Sequence, residues 1–538
     1  RTNVGSSNVP EYSRFNNRFA EYNYDLILNF SKDLTDDLDL DGLIGWNLRR
    51  NENSSIRAST NGGLNAPGFY ALSNSASSLL PPTEYDATEM GDGLYARVGL
   101  GFLDTYFLEG TIRRDRSCTL PKENNTFYYP SISTSILLSN LIEADFLNFA
   151  KLRANYAEVG NATDPYRVFN TYTILAPFGG SGWASNNDQL NNINLKPERA
   201  KSYEIGLELN TFDRRVGLDV SYYDTKTEDQ ITPVPVSNAT GFRYTLLNAG
   251  TIENEGIEAS LRLVPVQTQD FIWNMNINWA KNKSTVVSLA EGIDNLQLAG
   301  LQGGVSINAA PGAPYGAIRG TDYVYDDNGN KVVNSSGYYL KSDTSNEIIG
   351  NIQPDWTGGV QNSFSYKNVT FDFLIDVQKG GDIFSLDTWY GFGTGLYDIT
   401  VGNNDLGNPM RNTLSQGGGI VLPGVQEDGA VNTTRARFDY YANPYGWARD
   451  ANKGHVYDAS FVKLREASLT YAFGDQILDR IPFTKASISF IGRNLWIIHK
   501  NLPYADPEAG LSSGNIQGYQ SGAYPAIREV GASLKFNF

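Results

Sequence analysis

The sequence predicts an all-β fold, an antiparallel transmembrane β-barrel, from three observations. Apolar and polar residues alternate along segment after segment, short and long connections alternate between those segments, and the composition suits strands and turns. Tyr and Phe are abundant (32 and 26), Gly is plentiful (53) and Met is scarce (3), as expected where aromatics cover a pleated surface and glycine supplies turns. Only 19% of residues are charged, yet the mean hydropathy is −0.35, so the polarity rests largely on Asn, Ser, Thr, Gln and Gly. No run approaches the ~18 consecutive apolar residues of a membrane helix, which excludes a helical membrane protein. A net charge of −16 argues against nucleic acid as a partner. Cys118 is the one cysteine, so no intrachain disulfide can form. The chain begins at Arg1 without Met or a signal-peptide pattern, so processing or truncation is expected to have removed what came before.

The strands are read from the alternation. Tyr203, Ile205, Leu207 and Leu209 alternate with Ser202, Glu204, Gly206 and Glu208. Val216 to Tyr222 and Ile257 to Leu263 repeat the pattern. Trp273, Met275, Ile277 and Trp279 alternate with Asn274, Asn276 and Asn278. Similar stripes run through 24–30, 96–102, 371–375, 486–490 and 530–538. A period of two gives each strand one greasy and one wet face. A soluble sandwich would alternate too, so the connections carry the distinction. Tight turns at 210–213, 265–270 and 367–368 are each followed by a long segment, the longest reaching from the strand at 369–378 to the one at 460–472. Short and long connections are expected to alternate strictly, as in barrels with periplasmic turns and extracellular loops. A compact soluble domain rarely holds loops of this length.

About fifteen strands are expected, the first near Asn23–Ser31 and the last ending at Phe538. Bacterial barrels have even strand numbers with both ends periplasmic, so an odd number of strands is expected upstream. Residues 1–538 would then be the C-terminal part of a larger barrel. Lipid offers no hydrogen-bond partners, so the sheet must hide its edges by closing; apolar stripes would face lipid and the Asn, Ser, Asp and Glu stripes a wet or plugged lumen.

Several segments resemble the SusC/RagA family. Ala459–Tyr471 (ASFVKLREASLTY) resembles its "SFvrLREvsLsY" strand, and Gly492-Arg493-Asn494-Leu495 followed by Asp506-Pro507-Glu508 resembles "GRNL…DPE". Asn194-Leu195-Lys196-Pro197-Glu198 with Tyr203-Glu204-Ile205-Gly206 resembles "NpnLkpE…yeiGl". Leu152–Tyr156 with Gly160-Asn161, Asn248–Gly250 with Asn254–Glu258, and Gly350-Asn351 with Pro354-Asp355-Trp356 and Gly380–Phe384 fit further runs. Together they cover roughly Gly93 to Phe538 in family order. Arg113-Arg114-Asp115-Arg116-Ser117-Cys118 departs from the family's "RrDGSS".

The resemblance implies TonB-energised import across the outer membrane of a Bacteroidetes host, through a plugged barrel of the ~22-stranded class. It implies two partners, a SusD-like surface lipoprotein and TonB–ExbB–ExbD acting on upstream sequence; outer-membrane lipid is expected from the apolar stripes and the barrel-assembly machinery from the last strand. The substrate would be an oligosaccharide or an oligopeptide. The family's signal peptide, N-terminal extension, TonB box, plug and first strands are absent from these residues. The rival readings are a passive or secretion-associated barrel without TonB-driven import, and a secreted all-β adhesin or glycan-binding protein. Enzymatic activity, a cofactor and a metal are not expected.

The two histidines, His455 and His499, are far apart with no metal-spaced Cys or carboxylate cluster, and read as surface loop residues. Without them no Ser-His-Asp set can be assembled. Carboxylate pairs such as Asp36–Asp37 and Asp326–Asp327 sit in turn-like runs and read as solvated turns. Asp326-Asp327-Asn328-Gly329-Asn330 lacks the spaced ligands of a calcium loop, and Asn328-Gly329 instead predicts a hairpin turn between Tyr323–Tyr325 and Lys331–Val333. Leu534, Phe536 and Phe538 share one face of the last strand and resemble the terminal signal read by the assembly machinery. The loop aromatics Trp183, Trp389, Tyr390, Tyr445 and Trp447 are the candidate substrate-binding residues, since large aromatics with polar neighbours suit sugars and peptides. Packing of loops, or against a partner, is the alternative use of the same side chains.

Overall fold

A computed structural model describes residues 10–438, 443–479, 482–510, 514 and 516–538; the Arg1 terminus lies outside the described residues. Fifteen strands form one antiparallel sheet: β1 (Ser13–Thr35), β2 (Leu38–Ser59), β3 (Thr83–Phe102), β4 (Tyr106–Ser117), β5 (Thr126–Leu137), β6 (Leu147–Asn161), β7 (Glu198–Thr211) and β8 (Val216–Glu228) come first. They are followed by β9 (Thr251–Gln267), β10 (Phe271–Ser288), β11 (Pro354–Tyr366), β12 (Val369–Gly380), β13 (Phe461–Ala472), β14 (Lys485–Lys500) and β15 (Glu529–Asn537). The order in the sheet is the order in the chain.

The strand count matches the sequence-based expectation; two details differ. β1 begins at Ser13 rather than near Asn23, because residues 13–22 mix polar and aromatic side chains on both faces and carry no clean period of two. The alternation of connections is also imperfect. The connection 118–125 is about as short as the turn 138–146, whereas 289–353 and 381–460 are long. Two of the short turns use left-handed backbone: Lys367 (φ 50°) leads the two-residue link of β11 to β12, and Leu103 and Asp104 (φ 54° and 47°) the link of β3 to β4.

Register places the residues by face. Across β1 to β5 one face carries Leu28, Ile44, Ala96, Ile112 and Pro130 in one row, and Phe30, Gly42, Val98, Gly110 and Ile132 in the next. The opposite face carries Asp41, Arg97 and Glu109, with Arg97 Nε donating to Glu109 at 2.5 Å and Arg97 Nη2 2.6 Å from Asp41. Further along, Trp273, Met275 and Ile277 pair with Phe364, Asn362 and Val360 on the greasy face. There Asn362 accepts from the Trp273 indole N–H at 3.0 Å.

Two compact units are distinguished. The first comprises residues 1–136, 153–203 and 225–251, the second 137–152, 204–224 and 252–538. In the first, Leu120, Leu195 and Leu246 form a small buried cluster under the loops. In the second, the long connections build a core of their own: Val305, Ile307, Ile318, Ile349, Phe384, Leu386 and Tyr519 are buried together. The long segments are therefore folded: among the described residues of this unit they form four small sheets besides the large one, the largest built from the strands 296–301, 305–309, 317–320 and 347–351.

Candidate functional site

Within the second unit the loop 381–460 carries a helix, α1 (Leu386–Gly393), that positions two of the expected aromatics. Ser385 caps it, its Oγ accepting from Thr388 N–H at 3.2 Å. The same hydroxyl donates to Gln520 Oε1 at 2.7 Å, and Gln520 Nε2 donates to Asp387. Leu386 anchors α1 in the loop core and Trp389 packs on that core from the side. Tyr390 turns outward and its hydroxyl accepts from Gln302 Nε2 at 2.5 Å.

Trp447 joins this pair. Its ring lies 5.7 Å from Trp389, and Trp389 meets Tyr390 edge-on at 4.7 Å. Glycine makes the approach possible: a Cβ at Gly446 would lie 2.5 Å from the Gly393 Cα, and one at Gly393 would lie 2.6 Å from Trp447. Also on α1, Phe392 meets Tyr397 and Tyr504 edge-on at 5.7 and 6.4 Å, and these two tyrosines stack at 4.1 Å with 16° between planes. Tyr504, whose hydroxyl donates to Asp398, has φ 60°, a left-handed conformation that costs an aromatic residue energy and concentrates at functional positions. The result is an aromatic surface of which Tyr390, Trp447 and Tyr504 remain exposed.

Below it lies a buried polar cluster. His455 was read from sequence as a surface loop residue; the structure corrects this, since His455 has no exposure at all. Phe384 and Phe392 close over its ring at 6.4 and 5.7 Å, and burial drives its pKa down to about 3, so it is neutral. Its Nδ1 pairs with Thr388 Oγ1 at 3.3 Å, and its Nε2 lies 3.9 Å from Asp450 Oδ2. Burial pushes Asp450 up to about 6, against a hydrogen bond donated by the Tyr323 hydroxyl at 2.8 Å. His499, by contrast, is exposed on β14, paired in register with Val462.

The hairpin expected at Asn328-Gly329 is present, with Tyr325 bridging Lys331 and Gly329 at φ 80°. Asp326 accepts from the backbone N–H groups of Asn328 and Asn330 at 3.0 and 2.7 Å, so its oxygens serve the turn. Sequence reasoning did not anticipate this hairpin's role: Lys331 Nζ sits 3.4 Å above the Tyr323 ring and connects it to the cluster.

A second array joins two motifs that the sequence shows only as separate runs. A bulge in β13, between the pairs Leu464–Ile375 and Glu466–Leu374, leaves Arg465 extra and turns it to the wet face with Lys463. Arg465 Nε donates to Asp376 at 3.0 Å, and its terminal nitrogens donate to Glu508 at 2.8 and 2.9 Å. Lys463 Nζ donates to Asp506 at 2.6 Å and also to Glu508. Burial raises the carboxyl pKa values of Asp506 and Glu508, but these cations outweigh it and hold both below the usual carboxylate range.

The family model for the TonB dependent receptor-like β-barrel matches residues 1–323, more than half of the chain. The chain belongs to this family of outer-membrane barrels. It is 26% identical to TonB-dependent receptor P3 of Formosa agariphila, over 99% of this chain and 54% of that protein. It is 23% identical to TonB-dependent receptor SusC of Bacteroides thetaiotaomicron, over 70% of this chain and 37% of that protein. The chain thus spans about half the length of the curated relatives it matches, or less. Among solved structures, the RagAB peptide importer in its closed-closed state aligns with TM-score 0.77 at 20% identity, over 98% of this chain and 56% of that one. That likeness establishes the fold. The similarity to SusC and the fold shared with RagAB agree with the reading of the sequence motifs, as does the family's outer-membrane, multi-pass β-barrel location, and both named hosts fit the expected lineage.

Of the five aromatics expected from sequence, the structure gathers Trp389, Tyr390 and Trp447. Tyr445 lies apart from their rings and meets Phe438 edge-on at 5.6 Å. Trp183 belongs to the other unit, on a hairpin of residues 172–186 where its ring is 6.4 Å from Phe178. Tyr397 and Tyr504 were missed; the adjacency of Tyr504 to the Asp506-Pro507-Glu508 run was the available signal. Leu534, Phe536 and Phe538 are exposed at the end of β15, with Phe483 packing on Phe536 and Phe538 at 4.6 and 5.1 Å.

Proposed function

We propose that this chain is the C-terminal barrel portion of a SusC-like importer, whose plug, TonB box and first strands are supplied by upstream sequence. It takes up oligosaccharides or oligopeptides, with a SusD-like lipoprotein at the extracellular mouth and TonB–ExbB–ExbD providing the energy. The protein makes and breaks no covalent bonds. The observation that carries the reading is the aromatic surface of Tyr390, Trp447 and Tyr504, built on a folded loop core by a helix and a pair of apposed glycines. Flat apolar faces beside polar groups suit the ring faces of sugars and the side chains of extended peptides alike. The resemblance of the sequence motifs to the SusC/RagA family implies both substrate classes, and the fold is shared with a peptide importer. We read Leu534, Phe536 and Phe538 as the signal recognised by the barrel-assembly machinery.

The test is uptake of isotope-labelled oligosaccharide and oligopeptide mixtures by host cells carrying or lacking the full-length gene, with and without TonB. Uptake of one class, lost with either deletion, supports the proposal. Uptake that persists without TonB favours the passive-pore reading.

A further inference from the structure

Two rows of the outward face of β2 to β5 depart from their apolar neighbours. Going up from the short turns, Phe102 pairs with Tyr106, Leu100 with Leu108, Val98 with Gly110 and Ala96 with Ile112. Then Leu94 pairs with Arg114, and Asp92 with Arg116. Trp46 and Tyr128 flank the first of these rows, through Trp46–Leu94 and Arg114–Tyr128. From Phe102 to Asp92 the strand rises about 33 Å along its axis, or about 25 Å along the bilayer normal at the tilt of such barrels. That is the height of the apolar band. Phe102 and Tyr106 (rings 6.3 Å apart) therefore mark its lower edge, and Trp46, Tyr128 and the charged row its outer edge.

Arg114 Nη2 and Arg116 Nε both donate to Asp92, the latter at 2.7 Å. One carboxylate for two guanidiniums leaves the cluster with a single positive charge. Arg114 Nε is buried with no partner among the described residues. The Arg116 side chain is 57% exposed, and its terminal nitrogens have no partner among the described residues. A pocket of about 420 Å³ opens here, bounded by Trp46, Leu48, Met90, Asp92, Arg116 and Cys118. An uncompensated guanidinium at a hydrocarbon boundary is costly unless an anion joins it, and phosphate matches its fork geometry.

We propose that this pocket holds the phosphate-bearing headgroup of one outer-leaflet lipid, Arg116 gripping the phosphate and Trp46 packing on the first acyl carbons. The site needs only the outer-membrane location and is independent of what the barrel imports.

Full-length protein, assembled in zwitterionic nanodiscs, is incubated with diphosphorylated lipid A or its phosphatase-treated form, and lipid retention is read by native mass spectrometry. The phosphorylated form is retained in preference to the dephosphorylated one, with millimolar inorganic phosphate failing to displace it. Arg116→Gly weakens retention about tenfold, and Arg116→Lys weakens it less. Heat-modifiable migration checks assembly, and Arg116→Gln gives the same reading should the glycine variant fail to assemble. Equal retention of both lipid forms, undiminished retention by the uncharged variants, or displacement by inorganic phosphate would each overturn the proposal.

Discussion

Lys463 Nζ lies 2.6 Å from Asp506 Oδ1, and both side chains are 5% exposed. This contact locks the end of β13 to the loop 501–528 and explains why the two motifs occur together. Removing the ammonium leaves a buried carboxylate without its partner, so Lys463→Met is expected to destabilise the protein by about 3–5 kcal/mol. Lys463→Met with Asp506→Leu should recover most of that loss. Urea titration of the assembled protein, followed by gel mobility, measures both. Because Asp506 and Glu508 have depressed pKa values, their contribution is present above the ordinary carboxylate range and is lost as pH falls below it.

The pair His455 and Asp450 gives a different pH response. His455 is held neutral down to about pH 3, so the unfolded chain takes up a proton first and stability falls as pH drops from about 6.5. Asp450, raised to about 6, binds its proton more tightly when folded, so stability rises over nearly the same interval as pH drops. The two slopes oppose each other. Asp450→Asn removes the compensating one, and its stability should fall more steeply than that of the parent between pH 6.5 and 4. Parallel denaturation curves at several pH values read the difference.

Gly446→Ala should disrupt the loop without preventing assembly, since its Cβ would lie 2.5 Å from the Gly393 Cα. An overpacking cost of about 1–3 kcal/mol is expected. Limited proteolysis within 381–460 should become faster while heat-modifiable migration stays unchanged.

Trp447→Ala and Tyr504→Ala remove exposed rings of the aromatic surface. Each should weaken binding of the imported oligomer by about 1 kcal/mol, or roughly fivefold. Isothermal titration with the full-length protein checks this. Trp183→Ala, on the hairpin of the other unit, serves as the comparison.

The sheet was legible because lipid and water on opposite faces impose a period of two, as in Trp273 to Trp279. The pattern fades where a strand leaves the membrane, which is why residues 13–22 of β1 could not be assigned. The loop core was illegible for another reason: Ile307, Ile349, Phe384 and Tyr519 come from distant segments, and no local period announces their contact. His455 was misread on the same account, since Gly454 and Val456 beside it say nothing of Phe384 and Phe392. The Lys463–Asp506 contact was present in the sequence only as two motifs, and folding supplied the distance.

The central claim is that one face of the sheet meets lipid. With Cys118 replaced, spin labels placed singly at Ala96, Arg97, Thr111, Ile112, Ser131 and Ile132 of the reconstituted full-length protein test it by collision with oxygen and with a water-soluble nickel complex. Labels at Ala96, Ile112 and Ile132 should favour oxygen and those at Arg97, Thr111 and Ser131 nickel. Nickel access at all six positions, or no alternation between neighbours, would contradict the account.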